Sequence, residues 1–205
     1  MKKLVTGIKS FQQQSYPENK SLFRKLRDGQ NPETLFITCS DSRIDPCLLT
    51  QTKPGDLFIL RNAGNIVPPH GASNGGEAAA VEYAITALGV ENIIVCGHSH
   101  CGAMQGLLNP DSLSELPAVA EWLKHAASTR RVVQDIHKNK TGADLHAAAI
   151  QENTIAQISN LKTHPSVAAA LAEQKIKLHA WVYEFENGKV FEWNSQTNLF
   201  TDLCE

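Results

Sequence analysis

The chain has 205 residues, 19 of them basic and 21 acidic, for a formal net charge of −2. That length suits one well-cored domain, and the intermixed charges exclude an extended basic field for nucleic acid or anionic lipid. No long uncharged apolar run occurs, and Met1 to Ser10 is too broken by lysines and polar residues to serve as a secretory leader, so a soluble cytoplasmic protein is expected.

In chain order, residues 1–29 hold two amphipathic helix candidates. One shows Leu4, Val5, Ile8 and Phe11 on a face, and the next shows Leu22, Phe23 and Leu26 before Gly29. Thr34 to Thr38 reads as a short buried strand that delivers Cys39 at its C-terminal end, and Asp45-Pro46 opens a helix behind the polar loop. Leu57 to Leu60 is a second strand, followed by Arg61-Asn62-Ala63-Gly64-Asn65. Asn74-Gly75-Gly76-Glu77 lacks the lysine and spacing of a phosphate loop and reads as the start of a helix with Ala78, Val81, Ile85 and Leu88 on one face, closed by Gly89.

Asn92 to Cys96 is continuously apolar, as expected of a parallel strand covered on both faces, and it ends at Gly97-His98. Residues 103–174 read as almost wholly helical, with breaks at Asn109-Pro110, Leu116-Pro117, Lys140-Thr141-Gly142 and His164-Pro165. A strand from Ile176 to Phe185, an Asn187-Gly188 turn and a strand from Val190 to Trp193 close the chain. The pattern predicts a three-layer α/β fold, in which four parallel strands and an antiparallel C-terminal strand are flanked by helices. Ligands of such sheets bind at the C-terminal ends of the strands, where Cys39 and His98 both fall.

The five cysteines, Cys39, Cys47, Cys96, Cys101 and Cys204, are odd in number, irregularly spaced and free of any Cys-x-x-Cys pair. This suits reduced thiols, some of them metal ligands, better than a disulfide framework. Cys39, His98 and Cys101 make an open three-ligand set for zinc, the i, i+3 spacing of the last two suggesting a helical or near-helical turn. His100 competes with His98 but stands next to Cys101, which makes facing one metal harder. Cys96 reads as core, and Cys47 and Cys204 as unliganded. Asp41 has two jobs open to it: fourth zinc ligand, or acceptor of the hydrogen bond from zinc-bound hydroxide. A guanidinium at Arg43 paired with Asp41 would keep the carboxylate ionised and turned from the metal, so the two make a gate.

Cys39-x-Asp41-x-Arg43 followed by His98-x-x-Cys101 resembles the β-class carbonic anhydrases, and the similarity extends through Pro54-Gly55-Asp56, Arg61 to Asn65, Glu82-Tyr83-Ala84 and Leu178 to Tyr183. The resemblance implies one Zn2+ per chain on Cys39, His98 and Cys101, with Asp41 as a conditional fourth ligand, and reversible hydration of carbon dioxide to bicarbonate with Asp41 and Arg43 as the catalytic dyad. It also implies a substrate pocket with Gln30, Phe58, Tyr83 and backbone donors near Gly102, although Phe58 and Tyr83 also suit plain core packing. Residues 1–29 are then dimerisation helices, residues 30–205 the catalytic domain, and the assembly a homodimer or an oligomer of dimers.

Some family members hold bicarbonate at a non-catalytic site with a tryptophan, an arginine and a tyrosine. The corresponding positions here are Phe36, Arg61 and Tyr183, so the missing tryptophan predicts the open form near neutral pH. Ala180 stands where relatives usually have glycine. The sequence is similar to both cyanobacterial carboxysomal and proteobacterial cyanate-linked members, so a cytoplasmic or carboxysomal place is expected; carboxysomal members carry a long C-terminal extension, and without it a carboxysome scaffold as partner is unsupported. Hydrolysis of carbonyl sulfide or carbon disulfide, or a silent zinc scaffold with Asp41 permanently on the metal, are the alternatives to be separated from hydration.

Overall fold

Alternation of apolar and polar residues at helical spacing makes the beginning of the chain helical, and runs of β-branched and aromatic residues build the rest around a sheet. The computed structural model describes residues 1–73 and 75–205. It divides into two units, Met1–Asn31 and Pro32–Glu205. Asn74, the first residue of the expected helix start, lies outside the described residues.

The first unit runs α1 (Lys2–Ser10), a π-helical stretch (Phe11–Ser15), α2 (Tyr16–Glu18) and α3 (Lys20–Arg27). Phe11, Tyr16 and Phe23 gather there, with the Tyr16 and Phe23 rings stacked at 5.5 Å and Phe11 edge-on to both. Leu4, Val5, Ile8 and Phe11 stay 44–63% exposed, an apolar stripe left facing outward.

The second unit is built on a six-stranded sheet in the order β2-β1-β3-β4-β5-β6. Its strands are β1 (Thr34–Cys39), β2 (Leu57–Asn62), β3 (Asn92–His98), β4 (Lys177–Tyr183), β5 (Val190–Asn194) and β6 (Leu199–Asp202). The first four are parallel and the last two antiparallel. The sheet therefore runs one strand further than the single antiparallel C-terminal strand expected. The tail turns back at Asn198, which has φ 57°, and pairs Leu199 with Asn194.

Between the strands lie α4 (Pro46–Thr50), α5 (Gly76–Thr86), α6 (Gly102–Leu108), α7 (Pro117–Leu123), α8 (Ala127–Ile136), α9 (Gly142–Leu161) and α10 (Pro165–Ala172). Leu35, Ile37, Ile93 and Val95 project to one face and bury against Val81 and Ala84 of α5, Ile158 and Leu161 of α9 and Val167 of α10. Each such burial contributes about 1.5–3 kcal/mol. The alternate residues Phe36, Ile94 and Cys96 project to the other face, with Ile44, Leu49 of α4 and Trp181. Among the described residues no helix is long and apolar enough to cross a membrane.

Register decides where the chemistry sits. Cys39 is level with Asn62, and His98 with Tyr183, so the C-terminal ends of β1 to β4 form one rim. At Gly97 a Cβ would lie 2.7 Å from Thr154 Oγ1 and 3.1 Å from Ile150 Cγ2. Only glycine lets the end of β3 lie this close to α9 without a clash, and that approach fixes the position of His98.

Candidate metal centre

The segment leaving β1 is held from outside. Arg61 of the neighbouring strand donates Nε to the Cys39 carbonyl at 3.0 Å, and Nη2 to the carbonyls of Asp41 at 2.7 Å and Ile44 at 2.8 Å. Asp45 caps α4 by accepting from the Leu48 N–H at 3.0 Å, so the loop between Cys39 and Pro46 is tied at both ends. Gly64, at φ 82°, donates its N–H to the Cys39 sulfur at 3.4 Å. From behind, Asn153 of α9 donates to the Gly64 carbonyl at 2.9 Å and accepts from Gln157, whose own oxygen takes the Val67 N–H.

The segment leaving β3 is a tight turn rather than the helical one expected from the His98/Cys101 spacing. Ser99 remains bound to β4 through its N–H to the Tyr183 carbonyl at 2.8 Å, so the chain reverses at His100, which adopts φ 55°. Cys101 is extended at φ −66° and ψ 116° and caps α6. Its carbonyl accepts from His146 Nε2 of α9 at 2.8 Å. The reversal points the His98 and His100 rings in opposite directions, His98 into the interior and His100 outward to Glu186, where its side chain is 60% exposed. That settles which imidazole faces the sulfurs.

Cys39, His98 and Cys101 each offer one ligand atom, and these atoms lie within 4.8 Å of one another with all three residues buried. His98 Nδ1 sits 2.8 Å from the Ser99 carbonyl, which can only accept, so Nδ1 carries the proton and Nε2 presents its lone pair. That Nε2 is buried without a hydrogen-bond partner. A buried, unpartnered imidazole lone pair facing two sulfurs is the donor set zinc takes, and the carbonyl on Nδ1 is the support metal-ligating histidines carry. Cys39 is pushed below the usual thiol range, first by the Cys101 thiol and then by the N–H groups of Gly64 and Asp41. Cys101 is pushed up by Cys39 and by burial, the pattern of two sulfurs sharing one proton.

Asp41 faces Arg43. Arg43 donates Nε to Asp41 Oδ1 at 2.9 Å and Nη2 to Oδ2 at 2.7 Å, and its backbone N–H also reaches Oδ1 at 2.9 Å. The guanidinium holds the Asp41 carboxyl well below the usual carboxylate range, helped by the Arg43 N–H. Asp41 Oδ2 nonetheless lies 3.9 Å from His98 Nε2, so the carboxylate borders the cluster while bonded away from it.

Among the other expected residues, Phe58 and Tyr83 pair with ring centroids 5.9 Å apart, Phe58 half-buried against the core and Tyr83 49% exposed. Gly102 opens α6, where N–H groups lack intrahelical acceptors. Gln30 belongs to the first unit and is exposed. Cys96 is core, its thiol pushed up to about 12 by burial, while Cys47 is half-buried on α4 and Cys204 exposed. Phe36 packs edge-on to Trp181, and Arg61 spends its donors on the three carbonyls above. The sequence reading passed over His146, Asn153, Gln157, Phe185 and Glu186. No local signal marked them; Asn153, for one, stands between Glu152 and Thr154 in an ordinary helical stretch.

The comparisons agree with this geometry. A family model described as carbonic anhydrase matches residues 34–190. A carbonic anhydrase of Synechococcus elongatus is 50% identical over 206 residues, covering 100% of this chain and 76% of its own. The solved structure of the β-carbonic anhydrase CcaA superposes with a TM-score of 0.97 at 48% identity, covering 98% of each chain. Two tetrameric β-carbonic anhydrases of Sordaria macrospora were also solved, and the match to them has a TM-score of 0.84 at 28% identity over 97% of this chain and 96% of that one.

Proposed function

The chain belongs to the β-class carbonic anhydrases, and from that premise we propose that it catalyses CO2 + H2O ⇌ HCO3− + H+ at a zinc ion held by Cys39, His98 and Cys101. The observation that carries the assignment of the metal is the buried, unpartnered His98 Nε2 facing two sulfurs. Zinc on three protein ligands supplies a Lewis acid that lowers the pKa of a water from 15.7 to about 7. The five cysteines are all unbridged, which fits a reducing cytoplasm where such ligands stay available.

The remaining work falls to side chains. Asp41 accepts a hydrogen bond from the attacking water and aims its lone pair at the carbon of CO2. Arg43 keeps Asp41 ionised and turned from the metal, and the paired bonds at 2.9 and 2.7 Å support that role. Phe58, Tyr83 and the Gly102 N–H line the substrate's approach and orient its oxygens. The protein works as a homodimer or a larger homo-oligomer, a reading supported by the exposed Leu4, Val5, Ile8 and Phe11 stripe and by the tetrameric relatives.

The pH dependence follows from the direction of the Asp41 shift. Its folded value is depressed, so the stabilising pair is present above the ordinary carboxylate pKa and is lost only as pH falls through the lower folded value. Asp41 is therefore ionised throughout the neutral range, and the open form should be active there. Stopped-flow CO2 hydration on protein of measured zinc content, at about pH 7 and about pH 9, tests this. Fast turnover at both, with a loss of about 10²–10³-fold in Asp41→Ala, is expected. Activity at the higher pH alone would mean that Asp41 closes the site. Zinc-loaded protein inactive at both would overturn hydration in favour of the sulfur substrates or a silent scaffold.

A further inference from the structure

Arg43 is the exposed half of the dyad. Its side chain is 51% exposed, and an exposed ion pair by itself contributes little. Holding Asp41 in one orientation therefore needs more than the carboxylate. The structure provides it from two distant segments. The second N–H of Arg43 Nη2 goes to the His100 carbonyl at 3.0 Å, and the guanidinium carbon lies 4.8 Å from the centre of the Phe185 ring, within cation–π range.

These two holders are themselves joined. The Phe185 N–H donates to Ser99 Oγ at 2.9 Å, Ser99 Oγ donates to Glu186 Oε2 at 2.9 Å, and Glu186 Oε1 meets His100 Nε2. One carboxylate thus ties both residues of the turn, Ser99 and His100, to the segment that carries the ring. His100 sits at φ 55°, a conformation that residues with a Cβ rarely adopt, and that peptide geometry is what turns its carbonyl toward Arg43.

We propose that Glu186, which touches neither the metal ligands nor Asp41, is a positioning residue: it clamps the Ser99-His100 turn to the Phe185 segment so that carbonyl and ring together fix the Arg43 guanidinium against Asp41. The inference rests on the role given to the dyad above. Loosening the clamp leaves Arg43 mobile and Asp41 free to rotate, without removing any group that touches substrate.

The test uses full-length, zinc-loaded protein labelled with 15N-arginine. The Arg43 Nε–H resonance, assigned by its absence in Arg43→Lys, should be sharp and slow to exchange in the wild type. In Glu186→Ala it should broaden or vanish, and kcat/KM for CO2 should fall about tenfold, well short of the ~10²-fold expected for a catalytic group misplaced by an ångström. Glu186→Gln keeps an oxygen for the Ser99 hydroxyl and should fall between. The side chains of Glu186 and His100 are 53% and 60% exposed, so these variants should fold normally, and an unchanged melting temperature verifies it. An unchanged Arg43 signal and unchanged kcat/KM in Glu186→Ala, beside an inactive Asp41→Ala, would overturn the clamp and leave the dyad standing. A lost Arg43 signal beside a fully active Asp41→Ala would support the clamp and overturn the dyad's role in the reaction.

Discussion

The loop after β1 and the turn after β3 each deliver cysteine to the same centre, and they are held in opposite ways. The Cys39 to Asp45 loop carries the Asp41–Arg43 bonds within it, and its backbone is fixed from outside by Arg61, which collects three of its carbonyls, and at its end by the Asp45 cap. The His98 to Gly102 turn takes its shape from a left-handed His100 and is docked through single contacts to β4, α9 and Glu186. The difference teaches that the longer loop depends on one distant donor, Arg61, for three of its carbonyls, whereas the tight turn spreads its support over its own backbone geometry and several separate contacts. Substitutions should therefore have unequal effects on the two.

The sharpest way to break the comparison is to remove what the two segments share. Cys39→Ser should drop bound zinc from one per chain to near zero and lower hydration activity more than about 10³-fold, read by metal analysis beside stopped-flow assay. A variant that keeps full zinc and activity would mean the centre lies elsewhere. Next comes the outside support. Arg61→Gln removes most of the donors to the Cys39, Asp41 and Ile44 carbonyls while leaving every ligand in place. Zinc affinity, measured by competition with a chelator, should weaken about 10–100-fold, the range for lost supporting hydrogen bonds around a metal.

The smallest effect is expected on the turn. His100→Gly relieves the cost of a left-handed non-glycine residue, about 1 kcal/mol, and loses an exposed contact to Glu186. Stability in denaturant titration should stay within about 1 kcal/mol of wild type, and zinc affinity should hardly change. A loss of zinc as large as that of Arg61→Gln would erase the distinction between the two segments.

Much of this was legible in the sequence because it depends on local pattern. Thr34 to Cys39 and Asn92 to His98 are apolar runs ending in polar residues, and a parallel sheet places such ends on one rim. Two cysteines and a histidine there, with Asp41 and Arg43 two and four positions past the first cysteine, name the chemistry. Gly97 as the point of closest approach to α9 was not legible, since Thr154 and Ile150 lie more than fifty residues away. Neither was the amide pair Asn153 and Gln157, which looks like an ordinary helix interruption until the Gly64 and Val67 backbone is seen against it.

The sequence by itself named the candidate ligands and the Asp41–Arg43 pair and placed the ends of two parallel strands together, because side-chain chemistry and hydrophobic period are properties of short stretches. Only the tertiary structure decided which imidazole turns inward, which way Asp41 faces, and what holds Arg43. Those outcomes rest on hydrogen bonds between residues 20 to 89 apart, from Arg61 to Asp41, His100 to Arg43, Glu186 to Ser99 and Asn153 to Gly64. A backbone carbonyl has no sequence signature of its own, so its partner is known only when the chain has folded around it.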